Sequence, residues 1–163
     1  MTSSHSMTIK KINKIQLIIS GGQSGVDRAA LDFSIKHSIS HKGFCPANRW
    51  AEDGKIDPEY NLTETKSSET SIRTRKNVEL ADATLILFTN QMDEGTQLTE
   101  AIAKQLKKPF YILNLDRNKR NKVIDWVEQN QISSLNIAGP RESNSPGIYN
   151  ASLELLESLK DLF

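Results

Sequence analysis

Short strand-like runs recur along the chain at Ile15–Ser20, His41–Cys45, Ala83–Phe88, Pro109–Leu115 and Ser134–Ala138. Ile15–Ile19 is aliphatic except at Gln16, as expected of a strand covered on both faces of a parallel sheet. Between the runs, apolar residues return at helical spacing, as Val26, Ala29, Ala30 and Phe33 do. This predicts helices over Ser24 to about Ile39, Glu69–Ala81, Thr96–Lys107, Lys119–Gln129 and Tyr149–Leu162. Strands alternating with helices imply βαβ units. The expected fold is a single α/β domain, doubly wound, with a mostly parallel sheet and helices on both faces. One segment breaks the rhythm: Pro46 to about Ser68 is polar, has no clear period, and is long for a loop.

Right-handed crossovers bring the strand C-termini to one rim, where open α/β sheets bind ligands. The first strand ends in Gly21-Gly22-Gln23-Ser24-Gly25 and opens a helix, an arrangement suited to an anion. Its spacing matches neither the dinucleotide fingerprint G-x-G-x-x-G nor the P-loop, which requires a lysine. The turn is therefore either a phosphate cradle or a tight strand-to-helix connection, and Gln23, Asp27 and Arg28 favour a site. Glu94-Gly95-Thr96 forms a second glycine turn after the third strand, read as further anion donors or as a helix capped by Thr96.

Composition narrows the partners. In 163 residues, 21 Lys and Arg balance 20 Asp and Glu, leaving no global field to recruit nucleic acid. No apolar run approaches the ~20 residues of a membrane span, and Met1–Ser6 has no signal-peptide core. Cys45 is the single cysteine, which excludes an internal disulfide and fits a reducing compartment. A cytoplasmic protein is expected, with residues 1–12 a loose leader before a domain over 13–163. A homodimer or higher homo-oligomer is also expected.

Arg73 and Asn77 are spaced i, i+4 and share a helix face, from which a guanidinium could clamp a phosphate; a solvated basic face with Arg75 and Lys76 is the competing reading. Arg49, Glu52 and Asp53 lie in the long polar segment, with Trp50 and Tyr60 as aromatic residues that could stack on a ring or simply pack. Arg141 and Glu142 either pair together or line a pocket. His5, His37 and His41 are scattered, and no metal-ligand spacing is visible.

Separated motifs then appear in order from Ile18 to Leu162: I-S-G-G-Q-S-G-V-D-R-A-A-L-D, G-F-C-P, A-E-D-G-K-I, R-T-x-x-N-V-x-x-A-D, E-G-T-x-L-T, L-N-I-A-G-P-R-E-S and P-G-I-Y. In these the chain resembles the putative molybdenum carrier family, part of a wider Rossmann-like group that includes the molybdenum cofactor carrier protein, the Lonely Guy phosphoribohydrolases, lysine-decarboxylase-like proteins and the DNA-processing protein A fold. The resemblance implies a Rossmann-like domain that binds a nucleotide-like or phosphorylated small molecule, with molybdenum cofactor or a nucleotide as the cofactor candidates. The implied binding residues are Gly21, Gly22, Gln23, Ser24, Gly25, Asp27, Arg28, Arg49, Arg73, Asn77, Gly95, Thr96 and Thr99. The alternative is a hydrolase cutting an N-glycosidic or phosphate-ester bond, with Asp27, Glu52 or Asp53 as acid or base. Against it, Lonely Guy enzymes carry an acid three residues after the motif threonine, where this chain has Thr99. Glu100 is displaced by about 100° around the helix.

Overall fold

The computed structural model describes residues 14–117 and 120–163. The expected leader and Lys119, the expected first residue of the fourth helix, lie outside the described residues. The elements are β1 (Leu17–Ile19), α1 (Val26–Lys36), β2 (Ser40–Lys42), β3 (Phe44–Cys45), β4 (Thr63–Glu64), α2 (Thr70–Leu80), β5 (Ala83–Phe88), α3 (Glu94–Gln105), β6 (Phe110–Asn114), α4 (Arg120–Gln129), β7 (Ser134–Ala138) and α5 (Ile148–Ser158). Five strands form one sheet in the order β2-β1-β7-β5-β6, every neighbouring pair parallel. The doubly wound α/β fold expected from the alternation is the fold observed.

Strand register explains the core. Ile18 pairs with Leu135, which pairs in turn with Ala83, so β1, β7 and β5 stack apolar side chains in rows. On one face these join Val26, Ala30 and Phe33 of α1, Val123 and Val127 of α4, and Ile148 and Leu156 of α5 in the main core. The other face is thinner: Val78 of α2 and Ile102 and Ala103 of α3 form a smaller cluster.

Two expected boundaries are corrected. The strand expected over His41–Cys45 breaks at Gly43, where a Cβ would lie 2.0 Å from the Ser20 carbonyl oxygen. The chain swings past the end of β1 there, and Phe44–Cys45 pairs with Thr63–Glu64 in a separate two-stranded ladder. The third helix begins at Glu94 rather than Thr96, because Asp93 is its N-cap.

The long polar segment is therefore folded. Ala51, Ile56, Tyr60 and Leu62 pack on Leu31 and Cys45 as a second apolar cluster. Arg49 sits at its hub, donating to the carbonyls of Ile56, Asp57, Tyr60 and Leu62 at 2.8–3.1 Å. Tyr60 and Tyr149 both donate their hydroxyls to Asp32, tying the segment and α5 to α1. Burial and the bond to Asp32 push the Tyr149 phenol up to about 12.

Candidate functional site

The connection after β1 leads to β2 at one side of the sheet, whereas that after β5 leads to β6 at the other, with β7 between them. A crevice opens at such a point, outside the strand C-termini. A cavity of about 790 Å³ lies there, reached by Gly21 and Gln23 after β1, Gly139 and Arg141 after β7, and the Gln91–Thr99 segment after β5.

Its inner wall is a buried ion pair. Arg73 Nη1 on α2 lies 3.0 Å from Asp27 Oδ2 on α1, with side chains 13% and 6% exposed. Burial raises the Asp27 pKa from the usual carboxylate value, with Arg73 and the Gln23 amide opposing it. Gly21 makes the arrangement possible, since a Cβ there would fall 1.6 Å from Arg73 Nη1. Arg73 Nε is buried and has no hydrogen-bond partner among the described residues. Asn77, one turn on, also faces the cavity, but its amide is committed to the backbone N–H and C=O of Phe44 at 2.8 and 3.0 Å.

The opposite wall is the start of α3. Asp93 Oδ1 accepts from both the backbone N–H and the hydroxyl of Thr96, at 2.9 and 2.6 Å. Burial alone would raise the Asp93 pKa, but these bonds and one from Asn144 hold it below the usual range. Thr96 and Thr99 are buried and face the cavity, and the Thr99 hydroxyl donates to the Gly95 carbonyl. Gly95 needs no glycine for packing, because a Cβ there would meet only Asp93 Oδ1, at 3.9 Å. Its bare backbone faces the cavity. Glu100 pairs with Lys104 instead.

Four amides of the first glycine turn are already paired within the protein. The amide of Gly22 donates to Ser20 Oγ, Gln23 to Asp27, Ser24 to the Gln23 side chain, and Val26 to the Pro140 carbonyl. Gly22 abuts Leu62 and Ile56, and Gly25 abuts the backbone of Pro140 and Arg141, so neither lines the cavity. Arg28 donates to the Gly22 carbonyl and pairs with Asp53 at 2.9 Å. Glu52 accepts from Ser24 Oγ and from Ser143 N–H and Oγ. Burial would raise its pKa, but those bonds and Arg141 lower it. Ser24, Arg28, Arg49, Glu52 and Asp53 thus hold the turn, the folded segment and the β7–α5 loop together, outside the cavity lining. Glu142 accepts from the Gly147 and Tyr149 amides at the start of α5, while Arg141 faces the cavity. Trp50 is 46% exposed, away from the cavity, and Tyr60 packs in the second cluster.

Sequence reasoning missed Asn136, Asn144 and Thr70 in the lining. Asn136 carried a readable signal: it is a polar residue inside the apolar strand S-L-N-I-A, buried at 3% exposure and donating to Thr84. The others lie on loops or helix starts whose placement is purely tertiary.

A crystal structure described as that of the putative molybdenum carrier protein of Syntrophus aciditrophicus SB is similar, with a TM-score of 0.87 and 45% identity over 89% of this chain and 94% of that one. No significant match exists among curated proteins. The model of the circularly permutated YpsA SLOG family matches residues 18–160. The strand order carries the permutation: counting β7 first and the remaining strands of the main sheet in chain order turns β2-β1-β7-β5-β6 into 3-2-1-4-5, the first five strands of the 3-2-1-4-5-6 doubly wound order. By sequence and by topology, the chain belongs to the circularly permutated YpsA SLOG family.

Proposed function

We propose that this protein binds a nucleotide-like or phosphorylated small molecule in the crevice between the ends of β1, β7 and β5, and holds it unchanged. The observation that carries the reading is Arg73 Nε, a buried cationic donor without an acceptor at the cavity wall. A buried donor left unpaired costs about 1–3 kcal/mol, and an anionic oxygen that draws the Arg73 guanidinium into the cavity, where Nε can pair, removes that cost. Arg141 adds a second guanidinium, and the bare backbone at Gly95 leaves room for close approach at a helix N-terminus. Threonines 70, 74, 96 and 99 supply neutral hydrogen bonds.

Molybdenum is what the similar structure's protein is described as carrying; bound within molybdenum cofactor, it fits this chemistry as cargo. The lining includes no thiolate or imidazole among the described residues, so the cofactor's phosphate and pterin would be the groups recognised. The hydrolase reading is less well supported. Thr99 stands in place of an acid, Glu52 and Asp53 are committed to the scaffold, and Asp27 is paired with Arg73.

Calorimetry with inorganic phosphate, AMP, ADP, molybdate and purified molybdenum cofactor tests the reading, followed by mass spectrometry of the recovered ligand. Binding of at least one phosphorylated probe, its recovery intact, and a loss of at least tenfold in affinity in Arg73→Ala are expected. Absence of any binding sinks the site, and recovery of a cleaved product sinks the carrier reading in favour of the hydrolase.

A further inference from the structure

We propose that the bound molecule is bipartite, carrying beyond its anion an uncharged, hydroxyl-bearing group such as a sugar, seated in a second hollow beside the main cavity. This rests on the main cavity being the seat of a phosphorylated ligand. The second hollow measures about 420 Å³ and is lined by Thr89, Asn90, Gln91, Asn144, Ser145 and Pro146. Gln91 and Asn144 line both spaces, so the two adjoin.

The chemistry of the two walls differs. Asp27, Arg73, Asp93, Glu94 and Arg141 charge the main cavity, whereas none of the six residues of the second hollow is ionisable. Side-chain amides and hydroxyls donate and accept at once, which suits sugar hydroxyls and gives a phosphate no countercharge. The walls are also held in place. Asn144 Nδ2 donates to Asp93 Oδ2 at 2.9 Å, bracing the β7–α5 loop against the start of α3 where the two spaces adjoin. The Asn90 amide donates to Asp116 Oδ2 at 3.1 Å, and the Ser145 amide to the Arg141 and Glu142 carbonyls, both at 3.2 Å. A preformed hollow whose neutral polar walls continue a charged one is the shape expected for a ligand with two unlike parts.

Calorimetry with methyl phosphate and glucose 1-phosphate separates the parts, since both are phosphate monoesters of like charge and only the second carries a neutral hexose. Glucose 1-phosphate is expected to bind at least tenfold more tightly. Ser145→Phe and Thr89→Phe, each obstructing the second hollow alone, should erase that gain while leaving methyl phosphate affinity within twofold. Two fillers are used so that misfolding of one, visible by circular dichroism, leaves the other. Equal affinity of the wild type for the two compounds overturns the bipartite ligand and spares the main site, as does an undiminished gain in a folded filler variant. Failure of both compounds to bind overturns the main-cavity reading and this one with it.

Discussion

Asp27 and Arg73 form an ion pair 3.0 Å long between α1 and α2, nearly buried on both sides, at the inner wall of the crevice. A buried pair is weak evidence for stability as a whole, but removing one partner strands the other. Arg73→Ala is expected to cost roughly 3 kcal/mol at neutral pH. The double variant Asp27→Asn/Arg73→Ala should be less destabilised than Asp27→Asn and Arg73→Ala added together. Urea unfolding of the four proteins measures this, and simple additivity would refute the coupling.

Gly21 and Gly22 are adjacent yet face different things, which separates binding from folding. In Gly21→Ala the new methyl collides with the far end of the Arg73 side chain, which can swing aside. The fold should survive, with phosphate-probe affinity reduced at least tenfold. In Gly22→Ala the backbone sits at φ +82° and the methyl meets Leu62 and Ile56, so a loss of about 1–3 kcal/mol in stability is expected. Paired melting curves and titrations check this; the idea fails if Gly21→Ala binds as the wild type does.

Stability should fall in acid, with one carboxylate opposing the trend. Burial works against ionisation at Asp82, but the Ser133 and Ser134 amides and the Ser134 hydroxyl outweigh it and hold its pKa below the ordinary 3.8. Glu52 and Asp93 are also lowered. A depressed folded pKa means that the unfolded chain binds the proton more tightly, so this stabilisation is present above the unfolded pKa and is lost as pH falls through the folded one. Asp27 has the reverse sign: its folded pKa is raised, so its contribution is present below 3.8 and is lost as pH rises through the folded value. Urea unfolding at pH 7, 5, 3.5 and 2.5 should show stability falling on the acid side, less so in Asp82→Asn. An acid limb unchanged in that variant would remove Asp82 from the account.

Asp93 is the N-cap of α3 and also receives Asn144, so Asp93→Ala should cost about 1–2 kcal/mol. Asp93→Asn or Asp93→Ser, which retain a capping acceptor, should recover most of the loss. If thermal denaturation finds all three equally unstable, capping is not the source of the effect.

The rim on which the site lies was legible because it follows from connectivity. Alternating strands and helices, right-handed crossovers and strand ends that carry Gly21, Gly95 and Gly139 are all matters of order along the chain, and they converge on one edge. The pair Arg73 and Asn77 was legible for the same reason, since i, i+4 spacing puts both on one face. What each does there was not, because Asn77 is drawn to Phe44 only once Gly43 has diverted the chain into the second ladder.

By itself, the sequence determined the fold class, the succession of elements and the rim, because periodicity and glycine placement act within a few residues. The tertiary structure alone decided that β7 enters between β1 and β5, and with that where the crevice opens. It also decided which polar groups are spent. Ser20, Asp27, Gln23 and Pro140 satisfy four amides of the first glycine turn, whereas Arg73 keeps one buried donor without a partner among the described residues. The Val26–Pro140 bond and the Arg73–Asp27 pair join segments far apart in the chain, and local pattern carries no information about the distances between such segments.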